Sequence, residues 1–117
     1  VIEPLRSKDV EERKNYWKHI VHAELCHILY SNGNQYTGNC IMSIREGQGV
    51  LTYKNGSIYK GEFCNNLPHG KGTFVDASNH AYEGTWNYGY YYNEEKDVVI
   101  DLFEPDEIVE SCTPVSQ

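Results

Sequence analysis

His19, His22, Cys26 and His27 come closest to a metal-binding spacing in this 117-residue chain. On a helix, His19 and His22 would share a face and Cys26 would follow one turn later, so two or three ligands could converge. Helix-surface histidines are common without a metal. Cys26, Cys40, Cys64 and Cys112 include no C-x-x-C pair and no zinc-like spacing. No metal and no cofactor is therefore expected. Gly47-Gln48-Gly49 and Gly70-Lys71-Gly72 suggest phosphate loops, but neither continues as G-x-G-x-x-G into a helix. His69-Gly70-Lys71-Gly72 also lacks the Ser/Thr and upstream Gly of a P-loop. No Ser/His/Asp or Cys/His arrangement stands out. The carboxylates gather toward the C-terminus, away from the kind of environment that tunes an acid or a base. No catalytic residue is assigned, and the chain reads as a non-enzyme.

The composition points to a sheet. Ten Tyr and ten Gly stand beside three Phe, two Trp and one Met. Tyr suits half-buried positions with one apolar side and one wet end, and Gly suits backbone that no side chain may cover. The net charge of −7 comes from residues 90–117, which carry eight acids against Lys96, while the rest is balanced. A neutral body with an acidic end excludes a nucleic-acid backbone as the main partner and disfavours an anionic membrane surface. No apolar run approaches the ~20 residues of a membrane-spanning helix, and the start shows no signal-peptide pattern. A reducing, cytoplasmic setting is the expectation. Val1 in place of Met suits a processed chain or a segment of a longer one.

An internal repeat organises the middle of the chain. Tyr36-Thr37-Gly38, Tyr59-Lys60-Gly61 and Tyr82-Glu83-Gly84 recur at a step of 23 residues. Gly47-Gln48-Gly49 recurs as Gly70-Lys71-Gly72, Leu51 as Phe74, and Tyr30-Ser31-Asn32-Gly33 as Tyr53-Lys54-Asn55-Gly56. Each unit reads as a hairpin. Tyr59, Gly61 and Phe63 alternate with Lys60 and Glu62, the period-2 pattern of a strand with one buried face. The turn-rich stretch from Cys64 to His69 reverses the chain, and Gly70, Gly72 and Phe74 return. Asn55-Gly56 supplies the turn into the next unit. The glycines leave slots in which rings from the neighbouring hairpin can lie on bare backbone. Tyr59, Tyr82, Phe63 and Trp86 are the rings expected there.

The pattern Tyr-x-Gly-x-aromatic, then Gly-x-Gly-x-aromatic, resembles the MORN (membrane occupation and recognition nexus) repeat family, best over residues 59–74. Asn66 and Ser43 stand where that family usually has Gly. The first unit has Cys40 in place of an aromatic, and the third loses its double glycine at Asn93 and Glu95. The resemblance implies a mainly β fold, a single-layer stack of antiparallel hairpins. Its units would be a partial one at 28–35, full ones at 36–58 and 59–81, and a partial one at 82–89. Tyr36, Gly38, Gly47, Gly49, Tyr59, Gly61, Gly70, Gly72, Tyr82 and Gly84 would be its structural residues.

The flanks are read separately. Asp9 and Glu12 make a capping box, and Val10, Trp17, Ile20, Val21 and Leu25 follow at near-helical spacing. They predict an N-terminal α-helix over about residues 10–24, in a segment 1–27 that caps the first hairpin. Residues 90–117 read as aromatic, then acidic and partly disordered. Within them a strand at 98–103 would cover Tyr90, Tyr91 and Tyr92, and 106–110 would form a helical turn.

The function expected is a non-catalytic protein-binding scaffold or adaptor, as the resemblance implies for cytoskeletal or ciliary assemblies. A partner peptide or helix would lie on the sheet face. Lys60, Glu62, Lys71 and Thr73 on the polar face, with Trp86 and Tyr90 to Tyr92, are the candidate contacts. The alternatives are an accessory module of a larger enzyme, of methyltransferase or lipid kinase type, and a lipid-binding module. So short a stack also leaves room for a second copy to complete it as a homodimer.

Overall fold

The computed structural model describes residues 24–104 and 107–115. Among these there are nine strands: β1 (Glu24–Tyr30), β2 (Gln35–Ile41), β3 (Ile44–Thr52), β4 (Ile58–Cys64), β5 (Leu67–Val75), β6 (Ala81–Trp86), β7 (Tyr90–Asn93), β8 (Val98–Asp101) and β9 (Val109–Pro114). β1 to β6 pair in chain order as an antiparallel meander. β9 returns to the far side of β1, giving the order β6-β5-β4-β3-β2-β1-β9. β7 and β8 form a separate hairpin. The mainly β architecture of hairpins is as expected. The predicted helix lies outside the described residues except at its end, where Glu24 to His27, the close of the expected helical cap, are strand.

The 23-residue step is visible in the turns. Met42 and Ser43, Asn65 and Asn66, and Tyr88 and Gly89 are pairs of consecutive positive-φ residues that reverse each hairpin, the geometry that suits the right-handed twist of the flanking strands. Ser43 and Asn66 thus adopt the left-handed backbone in the places where Gly is usual. The connections between hairpins repeat as well. The amides of Tyr30, Tyr53 and Asp76 donate to the carbonyls of Asn34, Ser57 and His80. Asn32 and Asn55 side chains then accept from the amides of Asn34 and Ser57 at 2.9 Å.

Five glycines stand opposite one another across the meander. Gly38 faces Gly49, Gly49 faces Gly61, Gly61 faces Gly72, and Gly72 faces Gly84. On one face this bare row receives tyrosine rings. A Cβ at Gly49 would overlap Tyr36, and one at Gly72 would overlap Tyr59. Both rings come from the adjacent strand of the same hairpin, not from the neighbouring hairpin as the spacing suggested. The hydroxyls complete the fit by donating to carbonyls three residues on, Tyr36 to Asn39 at 2.6 Å and Tyr59 to Glu62 at 2.9 Å.

The core is aromatic and lies on that face. Phe63 stands edge-on to both Tyr36 and Tyr59 at 5.1 Å, and Trp86 edge-on to Tyr59 at 5.4 Å. At the end of the sheet the third unit departs from the repeat. With Asn93 and Glu95 in place of the glycines, β7 pairs with β8 instead of continuing along β6. It lays Tyr91 over Gly84 and against Trp86, ring centroids 4.9 Å apart. At the other end Cys40, one step before Phe63, is joined to Cys26 of β1 by a disulfide. A reducing setting had not led us to expect that bond.

The C-terminal segment is ordered differently from expectation. Val109 and Glu110, read as part of a helical turn, begin β9. Hydrogen bonding to the open edge of β1 outweighs the weak local preference of this polar stretch.

Candidate functional site

Strand alternation puts two polar rows on the face opposite the tyrosines, one on each side of the glycine row. Val50, Lys60, Thr73 and Glu83 are cross-strand neighbours in the first, and Lys71 and Thr85 pair in the second. Between them runs an open groove of about 600 Å³, lined by Gln48, Lys60, Lys71, Thr73, Glu83 and Thr85, with the backbone of Gly61, Gly72 and Gly84 beneath. The groove exists because the central residues carry no side chain while those on either side do. It offers two ammonium groups, a carboxylate, two hydroxyls and a carboxamide around exposed backbone. That set suits hydrogen bonding to an extended polar chain.

Three of the sequence-predicted contacts, Lys60, Lys71 and Thr73, line this groove together. Glu62 lies beside it with a structural task, its carboxylate accepting from the Lys71 amide at 2.6 Å. Asn39, one step earlier, accepts from the Gln48 amide in the same way at 3.2 Å. Trp86 and Tyr91 are not surface contacts. They are 1% and 6% exposed and belong to the core, because Tyr91 turns inward on β7 while its neighbours turn out. Tyr90 and Tyr92 are 45% and 54% exposed. The repeat glycines and Tyr36, Tyr59 and Tyr82 hold the structural places expected of them, with Gly47 and Gly70 opposite Phe63 and Trp86. Tyr82 differs in its hydroxyl, which donates to Asp76 at 3.3 Å.

Of the residues considered for a metal, His19 and His22 lie outside the described residues. Cys26 is bonded to Cys40, and the His27 ring turns to the other side of β1, 2.9 Å from the Thr37 hydroxyl.

A buried charge on the aromatic face went unread. Arg45 is 2% exposed and its guanidinium lies 5.1, 5.9 and 5.6 Å from the ring centres of Tyr30, Tyr36 and Phe63. It donates to the Asn66 carbonyl at 3.0 Å through Nε, and Nη1 and Nη2 donate to the Glu107 carboxylate at 3.0 and 2.9 Å. Burial works against the charged guanidinium, but Glu107 prevails and holds its pKa above the ordinary value. Phase was the available signal. Arg45 alternates with the same set as Gly47, Gly49 and Leu51, one step before the buried Pro68. Glu107 lies in the segment between β8 and β9, so this pair and the 2.8 Å bond from the Ser31 amide to the Ile108 carbonyl tie that segment to the sheet.

No helix among the described residues is long and apolar enough to cross a membrane. No curated protein matches the chain. The family model of the MORN repeat matches residues 36–58 and 59–80, the stretches that build β2 to β5 and the turns between them. With these two units placed on the stacked hairpins, residues 36–80 of the chain are MORN repeats.

Proposed function

We propose that this chain is a non-catalytic scaffold or adaptor that takes an extended segment of a partner protein along the groove of its polar face. The observation that carries the reading is the pair of side-chain rows flanking a bare backbone floor, with Lys60 and Lys71 on either side. The bare floor leaves room for an extended chain, and the flanking side chains can hydrogen-bond it and select what it carries. The opposite face is filled by its own rings and by Arg45, which supports the polar face as the place of contact. We further propose a role in cytoplasmic assemblies of the cytoskeletal or ciliary kind, as the MORN resemblance implies.

The test is affinity capture from native extract on the immobilised full chain and on its K60E/K71E variant. A set of cytoskeletal or axonemal proteins held by the native chain and reduced about tenfold on the variant, or ~1.4 kcal/mol of binding, supports the proposal. Equal capture by both chains would remove the groove from it. A catalytic subunit as the one captured protein would favour the accessory-module reading.

A further inference from the structure

Three sulfur atoms meet at the end of the sheet that β9 joins. The Sγ atoms of Cys26 on β1, Cys40 on β2 and Cys112 on β9 all lie within 4.8 Å of one another. Cys26 and Cys40 are joined, and Cys112 carries a thiol. The strand register explains the meeting. β1 runs between β2 and β9, and Cys26 stands opposite Gly38 on one side and Pro114 on the other. Cys40 and Cys112 are each two residues from those positions. Cys26 is therefore a diagonal neighbour of both, a relation whose span lies within reach of side chains on one face.

A thiol held beside a disulfide is a reactant pair for exchange. We propose that Cys26 is the pivot of an internal thiol–disulfide exchange between Cys40 and Cys112. The Cys112 thiol gives up its proton to solvent, and the thiolate attacks the Cys26 sulfur. The Cys112–Cys26 bond forms as the Cys26–Cys40 bond breaks, and the electron pair leaves on the Cys40 sulfur, which takes up a proton. One disulfide and one thiol stand on each side of the equation, so no oxidant or reductant is consumed. Exposure favours the internal route. Cys26 and Cys40 are 1% and 2% exposed, which shields them from outside thiols, whereas Cys112 is half-buried and solvent can take its proton.

The two states differ in what they tie down. The Cys26–Cys40 bond spans 14 residues and joins strands that are already hairpin neighbours. The Cys26–Cys112 bond spans 86 residues and fixes β9, otherwise an edge strand held by hydrogen bonds, to the meander. Glu107 lies two residues before β9, so the exchange decides whether the strand next to the Arg45–Glu107 pair is covalently tied to the meander.

Peptide mapping of the full chain decides the matter. Trypsin cuts after Lys18, Arg45 and Lys96, so residues 19–45 contain both Cys26 and Cys40 while 97–117 contain Cys112. The native chain is incubated in mildly alkaline buffer, quenched in acid, alkylated and digested. The expected result is two products, an internally linked 19–45 peptide and a cross-linked 19–45/97–117 pair amounting to about a tenth or more of the disulfide. Recovery of the internal link alone, with Cys112 fully alkylated, would overturn the proposal. A second measurement uses the full-length C40S variant with oxidised glutathione. A Cys26–Cys112 bond and about tenfold slower hydrogen exchange over 109–114 are expected. A variant left with both thiols open to alkylation or capped by glutathione counts against it.

Discussion

Arg45 and Glu107, 62 residues apart in sequence, meet in a two-armed ion pair on the aromatic face of the sheet, at 2.9 and 3.0 Å. The Glu107 side chain is 11% exposed and that of Arg45 3%, so both charges have left water. Taking one partner away strands the other. Glu107→Ala is expected to lower unfolding stability by about 3 kcal/mol, the scale for breaking a buried pair. Replacing both, as Arg45→Met with Glu107→Leu, should recover much of that loss. Urea unfolding of the three chains checks the pattern. Additive losses in the double variant would show that the two side chains act separately.

Glycine substitutions divide sharply by position. A Cβ at Gly72 runs into the Tyr59 ring, whereas one at Gly56 meets nothing within 4 Å. Gly56→Ala should therefore cost about 1–2 kcal/mol, the strain of a positive φ. Gly72→Val should cost more than about 3 kcal/mol, since ring and backbone must both move. Comparable losses at the two sites in thermal melts would mean that the tyrosine slot is not tightly packed.

Alkaline pH should unfold the protein through its buried phenols. Burial raises the Tyr36, Tyr53 and Tyr59 hydroxyls well above their ordinary value, against the opposing Arg45 charge in the first two. A group whose folded pKa is raised holds its proton more firmly when folded. Its contribution is complete below the unfolded value of about 10 and is lost as pH climbs toward the folded one. Urea midpoints should stay level up to about pH 9 and then fall. Phenolate absorbance from the buried rings should rise together with loss of sheet signal. Complete phenolate formation in a chain that remains folded would contradict this.

The end cap offers a fourth comparison. Trp86 donates through its indole nitrogen to the Gly72 carbonyl at 3.1 Å and stacks on Tyr91. Trp86→Ala should cost about 3–5 kcal/mol. Tyr92→Ala, on the outward side of the same hairpin, should change stability by less than about 0.5 kcal/mol. Chemical denaturation of both variants would show whether inward and outward positions on β7 differ as their exposure implies.

The repeat, its hairpins and its left-handed turn positions could be read from residues alone, because each depends on neighbours within 23 positions. Even Ser43 and Asn66 were placed correctly in the turn. The strand at Val98–Asp101 was also legible, from its run of β-branched residues. What escaped depends on distant pairing. Val109–Pro114 is too polar to announce a strand, and only the open edge of β1 makes it one. The Cys26–Cys40 bond requires knowledge of the register between two strands, which no spacing rule supplies. Trp86 and Tyr91 were read both as inward rings and as contacts, because a dense aromatic run does not reveal which of its members face inward. In the groove, alternation placed Lys60, Lys71 and Thr73 correctly, but the part of Glu62 in holding the Lys71 amide needed coordinates.

The order of the strands also bears on how the chain acquires its shape. From β1 to β6 every pairing joins consecutive strands, so each forms over a short loop at little entropic cost. β9 on β1 is different, since it must bring the two ends of the described chain together. The meander can grow outward from any turn at the speed of local hairpins, leaving this final pairing as the slow, separable step. A ribosome making the chain would have released most of the meander before β9 existed. The Arg45 end of the aromatic face therefore waits unpaired in every molecule made, until the later residues that include Glu107 are synthesised and dock there.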